Sequence, residues 1–358
     1  MEKKRIHIEA IRIFACFFVI FNHTGLDGFF LFANYPAASF QYWFYLILSI
    51  CCRVSVPLFF AVSGALLIPK EERTKDLYLH RVLRMVIILI VISAIYYVWR
   101  YRYQLSTLSV GFFFKVLFAS NHADHLWYFY SFIPFLMALP LIRVLAKNMT
   151  NRHFLYMAIL ATASYAIRPI LEYLIWQGSA TFNGFLKFSW ITANAIIYPC
   201  IGYYLENRMD IKKVTGKKLA LLWAVNLGCL LAASAMTLYK SKVTGVCTMA
   251  DSQSFHNVFV LVNVIALYVT ARFIFDRVRT SPFVEKAFLS VGSTTFGIFL
   301  IHLILMEAFK SWGVLSFFTQ TLHLGDMLSA MLFCLTVMAA GFVIFFLLKK
   351  IPFFKKYL

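Results

Sequence analysis

Ten runs of mostly apolar residues, each long enough to cross a bilayer as a helix, dominate this chain and leave few folds open to it. A spanning helix needs about 20 such residues. The runs lie near 8–26, 43–68, 82–100, 126–146, 153–176, 189–206, 217–239, 255–276, 289–311 and 324–349. They predict an all-α, polytopic integral membrane protein with about ten transmembrane helices, forming a single domain over residues 1–358 with no appended soluble domain. Hydrophobic residues make up 61% of the chain and charged ones 14%, against roughly 45–50% and 25% in a soluble globular protein. Such a chain must use lipid as solvent, so disorder, a disulfide scaffold and an ordinary cytosolic enzyme are excluded. The first run ends in Asn22-His23 with no small-residue cleavage site close behind, so it reads as a retained helix and not as a signal peptide.

Charge gives the orientation. The 34 Lys and Arg outnumber the 15 Asp and Glu. They cluster between apolar runs, which points to membrane topology and away from nucleic acid. One set of alternate connections, including the N-terminal segment through Arg12 and the stretch from Lys70 to Arg84, carries 25 of them. The opposite set carries 8, and Arg53 falls inside a run. The richer set should face the cytoplasm, with both termini inside. The seven cysteines are scattered: Cys16, Cys200, Cys229 and Cys334 lie in apolar runs, Cys51 and Cys52 are adjacent, and only Cys247 reads as exposed. Neither a disulfide framework nor a zinc spacing is present, and no metal is expected.

Ionisable groups inside a span are costly, so each is a functional candidate. Arg12 and His23 are eleven residues apart, about 16 Å of helix and within roughly 20° of one face. They should look into one compartment from opposite depths, with Asp27 one turn on placed to orient the His23 ring. The idealised spans sort the remaining groups into layers. Arg12, Arg81 and Arg84 lie low; His23, Arg53, His125 and His302 lie high. Low guanidinium groups suit a phosphate-bearing ligand, and high imidazoles suit proton transfer at neutral pH. Together they predict a single polar seam through the bundle. Simpler roles fit other residues. Arg168 and Glu172, at i,i+4, read as a structural ion pair; His7, His80 and His153 as solvated; His256 and His323 as interface anchors. Val110 to Phe114 reads as a short interfacial amphipathic helix.

Four of these pieces occur in a familiar order. Arg12 through His23, Arg53-Val-Ser-Val-Pro57-Leu-Phe-Phe60 leading into Ser63-Gly64, His125-Leu-Trp127-Tyr-Phe, and Phe296-Gly297-Ile-Phe-Leu-Ile-His302 resemble the acyltransferase-3 family of bacterial membrane acyltransferases. The resemblance runs from residue 5 to about 345. It implies ten core helices in the bacterial cytoplasmic (inner) membrane. It also implies transfer of an acyl group, most often acetyl from acetyl-CoA, to a hydroxyl of an envelope glycan or lipid-linked sugar. On that basis His23, Arg53 and Asp27 are the catalytic candidates, with His23 acting as general base or as acyl carrier. Arg12, Arg81, Arg84, Ser63 and Gly64 are the donor-binding candidates, and His125, Trp127 and His302 the acceptor-binding ones. No permanently bound cofactor is expected, since acetyl-CoA is a substrate. Phe299 stands where the family often has Tyr, so a hydroxyl there is dispensable. The rival reading is a secondary transporter, but the paired, Gly/Pro-interrupted helices of an inverted repeat are not found.

Overall fold

The computed structural model describes residues 5–183, 194–244 and 258–350; Cys247, His256 and Lys187 lie outside them. Among the described residues the regular elements are all helices, without a strand. In chain order the helices are α1 (Ile6–Asn22), α2 (Phe40–Cys52), α3 (Ser55–Leu67), α4 (Thr74–Arg100), α5 (Val110–Ala119), α6 (Asp124–Asn148), α7 (Asn151–Ile175), α8 (Asn194–Tyr203), α9 (Gly216–Thr244), α10 (Val260–Arg277), α11 (Pro282–Ser311) and α12 (Asp326–Leu348).

Seven described segments are long and apolar enough to cross a membrane: α2 with α3 as one unit, α4, α6, α7, α9, α11 and α12. Two of the ten runs fall short by length or composition: helix α1 has 17 residues, and α10 carries Arg272, Asp276 and Arg277. The run near 189–206 lies partly outside the described residues, which resume at α8. Helix α1 packs against α3, α10, α11 and α12, so its side chains face protein on several sides. Between α4 and α6, the segment read as interfacial forms the short apolar helix α5.

Contacts between distant residues define two ends. At the basic end, His7 Nε2 meets Glu206 at 2.9 Å, and Arg143 donates to Leu67 O and Glu72. At the opposite end, Lys310 pairs with Asp27 at 2.6 Å and Arg102 with Glu307 at 2.8 Å. The expected Arg168–Glu172 pair forms, with both carboxylate oxygens 3.1 Å from Nε.

The second run differs from its expectation as one continuous helix. It breaks at Arg53-Val54, between α2 and α3. The local cause is Pro57, which has no N–H to offer the Arg53 carbonyl four residues back. A broken helix at membrane depth persists only if its freed backbone groups find partners. Here Asn263 Nδ2 donates to Cys51 O at 3.0 Å, while Asn22 Nδ2 donates to Cys52 O at 3.4 Å and to Ser55 Oγ at 2.9 Å. Asn226 in turn donates to Asn263 Oδ1 at 3.1 Å. The break is thereby tied to α1 and α10 by amide side chains.

Candidate active site

Three histidines from distant parts of the chain meet at the end of α1. His23 caps the C-terminus of α1, its N–H bonding Ile20 O, and Gly25 follows in the left-handed region at φ 63°, where a helix commonly turns off. Thr24 fixes this exit: its hydroxyl donates to Phe21 O at 2.7 Å and accepts from Phe29 N at 2.8 Å. His125 sits in the first turn of α6, and His302 lies about two-thirds of the way along α11; both are buried. The ring centroids are 5.2 Å apart for His23 and His302, 4.8 Å for His125 and His302, and 6.5 Å for His23 and His125.

Arg53, at the helix break, reaches the same place. Its guanidinium lies 4.6 Å from the Phe29 ring centroid, and its Nε and Nη2 are buried without a hydrogen-bond partner among the described residues. Leaving a charged donor so placed costs about 1–3 kcal/mol or more. A fold bears that cost where the donor is meant for a bound group. The cavity here measures about 520 Å³ and is lined by His23, Arg53, Asp124, His125, Trp127, Tyr198 and Phe299 among others. Its polar groups thus comprise a base, a pre-placed cation and a carboxylate, facing aromatic walls. Such a chamber can take a proton from a hydroxyl and stabilise an oxyanion.

A second cavity, about 480 Å³, opens at the basic end and is lined by Arg81, Arg84, His80, Glu72, Asp76 and Phe132 among others. Arg81 Nε is bonded to both oxygens of Glu72, at 3.0 and 3.1 Å, and Arg143 Nη2 holds the same carboxylate at 2.7 Å. Partial burial pushes the Glu72 carboxyl up, but the hydrogen bonds from Arg143 and Arg81 outweigh it and hold the group below its usual range. Nearby, the Lys349 ammonium is pushed below its usual range by burial and by Arg12, against Glu9, with Arg84 adding to the effect. The cationic groups therefore converge at this mouth. Arg12 itself pairs with Glu9 at 3.3 Å and does not line the second cavity.

The two cavities share no lining residue, and aromatic rings stand between them where the sequence led one to expect a continuous seam. Phe132 lines the basic cavity and stacks on Tyr128, with centroids 5.2 Å apart. Tyr128 stands 5.3 Å from Phe299, which lines the histidine cavity. Three aromatic rings thus partition the chambers. Ser63 sits beside the Tyr128 hydroxyl and donates its own hydroxyl to Phe59 O at 2.8 Å.

The sequence itself matches a known family. A family model described as an acyltransferase domain matches residues 5–349, essentially the whole chain. The chain belongs to the acyltransferase-3 family. Among curated proteins and among solved structures, nothing matches it. The family carries membrane acyltransferase activity, and the apolar helices make this acyltransferase a multi-pass membrane protein.

Several candidates stand where the sequence put them and others do not. His23, Arg53, His125 and Trp127 share one chamber, and Arg81 and Arg84 the other. Asp27 is corrected: it pairs with Lys310 and lines a separate surface pocket beside Asp326, so it does not orient His23. Gly64 is consumed by packing, because a Cβ there would fall 2.0 Å from Pro199 O. His302 lies behind the chamber and not on its wall. Asp124 and Glu72 are additions. Asp124 was signalled by its place one residue before His125, whereas Glu72 lies in a charged stretch that singles out no one residue.

Proposed function

We propose that this acyltransferase moves an acetyl group from cytoplasmic acetyl-CoA to a hydroxyl of an envelope glycan or lipid-linked sugar. It would do so in the inner membrane of a bacterium, with about ten spans and both termini in the cytoplasm. One observation carries the reading: an imidazole, a guanidinium with two nitrogens unbonded among the described residues, and aromatic walls share a chamber beside a cationic one. Acetyl-CoA carries several phosphate charges and cannot enter hydrocarbon. Its nucleotide end belongs at the basic mouth, with Arg81 and Arg84 as phosphate partners. The acetyl-bearing arm then passes the Phe132–Tyr128–Phe299 rings, which must part to admit it.

In the histidine chamber neutral His23 takes the proton of the acceptor hydroxyl as its oxygen attacks the thioester carbonyl. Arg53 donates to the oxyanion of the tetrahedral intermediate, in a site where water competes little. The C–S bond then breaks, the C–O ester bond stands, and the proton passes to the thiolate. Trp127 and the other aromatic walls offer flat apolar surface to a sugar ring.

The test compares envelope glycans from cells carrying active protein with those carrying His23→Ala, by mass spectrometry. An increment of one acetyl group seen only with active protein supports the assignment. Glycans identical in both strains would overturn it.

A further inference from the structure

Behind the catalytic chamber, His302 is fully buried, and its two nitrogens are not equivalent. Nδ1 donates to Phe299 O at 2.7 Å. A carbonyl can only accept, so the proton sits on Nδ1 and Nε2 carries a lone pair. That Nε2 is buried with no hydrogen-bond partner among the described residues. Its ring centroid lies 5.2 Å from that of His23. Two imidazoles joined by an N–H···N bond have centroids about 5 Å apart, from an N···N distance of about 2.9 Å and the two ring radii. The centroid separation thus allows such a bond once the rings, now inclined at 48°, turn toward each other. His125 is the other near neighbour, at 4.8 Å, but it belongs to the chamber wall as an acceptor-binding candidate.

We propose that His302 is a positioning residue for His23: its Nε2 accepts the hydrogen bond of the His23 imidazolium that forms during transfer. The proposal rests on the assignment of His23 as the base. The acceptor hydroxyl gives its proton to the His23 nitrogen that faces the chamber. The other ring nitrogen donates to His302 Nε2, which fixes the tautomer and spreads the positive charge. The proton on the chamber-facing nitrogen then passes to the thiolate as the C–S bond breaks, so His302 gains and loses no proton in a turnover. In other enzymes this post is often held by a carboxylate. Here the nearby acid on the same segment, Asp27, is bound by Lys310 at 2.6 Å, and Asp124 lies on the chamber wall with Arg53. A neutral acceptor suits this position, because it adds no second buried charge beside Arg53. A purely structural His302 is the costlier arrangement, since an unsatisfied buried acceptor costs about 1–3 kcal/mol and a phenylalanine would avoid it.

The experiment compares His302→Phe and His302→Gln with wild type and His23→Ala, all in purified form, measuring kcat and the KM of acetyl-CoA and of acceptor. The Phe ring fills the space without an acceptor, while Gln offers its carbonyl oxygen. The proposal expects Phe to lower kcat about 100-fold or more with both KM values within about twofold of wild type. Gln should recover about tenfold over Phe. Unchanged kcat in His302→Phe overturns the proposal, as does a loss confined to acceptor KM, and so does a Gln variant no better than Phe. If the Phe variant fails to reach the membrane, His302→Met replaces it with the same outcomes. Transfer surviving in His23→Ala sinks the assignment of His23; an inactive His23→Ala beside a fully active His302→Phe sinks the role of His302 alone.

Discussion

Gly64→Ala separates a packing glycine from a donor-binding one. The added Cβ would lie 2.0 Å from Pro199 O and 2.3 Å from Pro199 Cα, about 1.4 Å short of the 3.4 Å at which ordinary contact begins. Both obstacles are backbone, so no side chain can swing away and α3 must separate from α8. The interface cannot absorb this on its other side, where Gly202 leaves only 1.9 Å between its own added Cβ and Ala61 O. Small residues of this kind let helices approach closely in membranes. Overpacking typically costs about 1–3 kcal/mol, and a backbone clash belongs at the upper end. At about 2.1 cal/mol/K per residue, about 3 kcal/mol is a fall of about 4 °C in Tm for 358 residues. Thermal unfolding of the detergent-solubilised protein reads this directly. Gly228→Ala is the control, since nothing lies within 4 Å of its added Cβ and the helix gains about 1 kcal/mol of propensity. A Gly64→Ala protein that melts like wild type yet transfers no acetyl group would refute the packing argument in favour of donor contact.

Three further outcomes follow from the two chambers. Replacing Arg81 and Arg84 together by Ala should raise the KM for acetyl-CoA with kcat at saturating donor nearly preserved; a lower kcat at normal KM would remove them as phosphate partners. Tyr128→Ala takes out the middle ring of the partition, so acetyl-CoA hydrolysis without acceptor should rise. A background equal to wild type would mean that the rings do not separate donor from water. The clasp of Glu72 by Arg81 and Arg143 sets a pH dependence. Its carboxyl titrates lower folded than unfolded, so its stabilisation is present above an unfolded value of about 4.3 and lost as pH falls through the folded one. Wild type should therefore lose more Tm than Glu72→Gln as pH is lowered from 6 through that range, and parallel curves would contradict the clasp.

Much of this arrangement was legible in the sequence because membrane depth follows from counting residues along a helix. Arg12 lies about three turns before His23 at the end of α1, and the same count brings His125 and His302 to the level of His23. What residue counting cannot give is azimuth, the direction each side chain takes around its helix. His302 is at the expected depth yet faces behind the chamber, and Asp27 turns to Lys310 because Gly25 swings the chain away after α1. The partition of the seam was equally hidden, since Phe132, Tyr128 and Phe299 come from two helices far apart in sequence. The helix break at Arg53 did leave a mark. Pro57 lies four residues downstream, and a proline inside an apolar run argues against an unbroken helix.

The account depends most on the histidine chamber being where the acetyl group changes hands. Purified protein in lipid vesicles, given labelled acetyl-CoA on the side of the basic mouth and acceptor on the other, measures this directly. Wild type should label the acceptor. Folded His23→Ala should label none, and Arg53→Met should be slower by about 100- to 1,000-fold, the usual loss for one oxyanion donor. Acceptor labelled at the wild-type rate by His23→Ala would contradict the account.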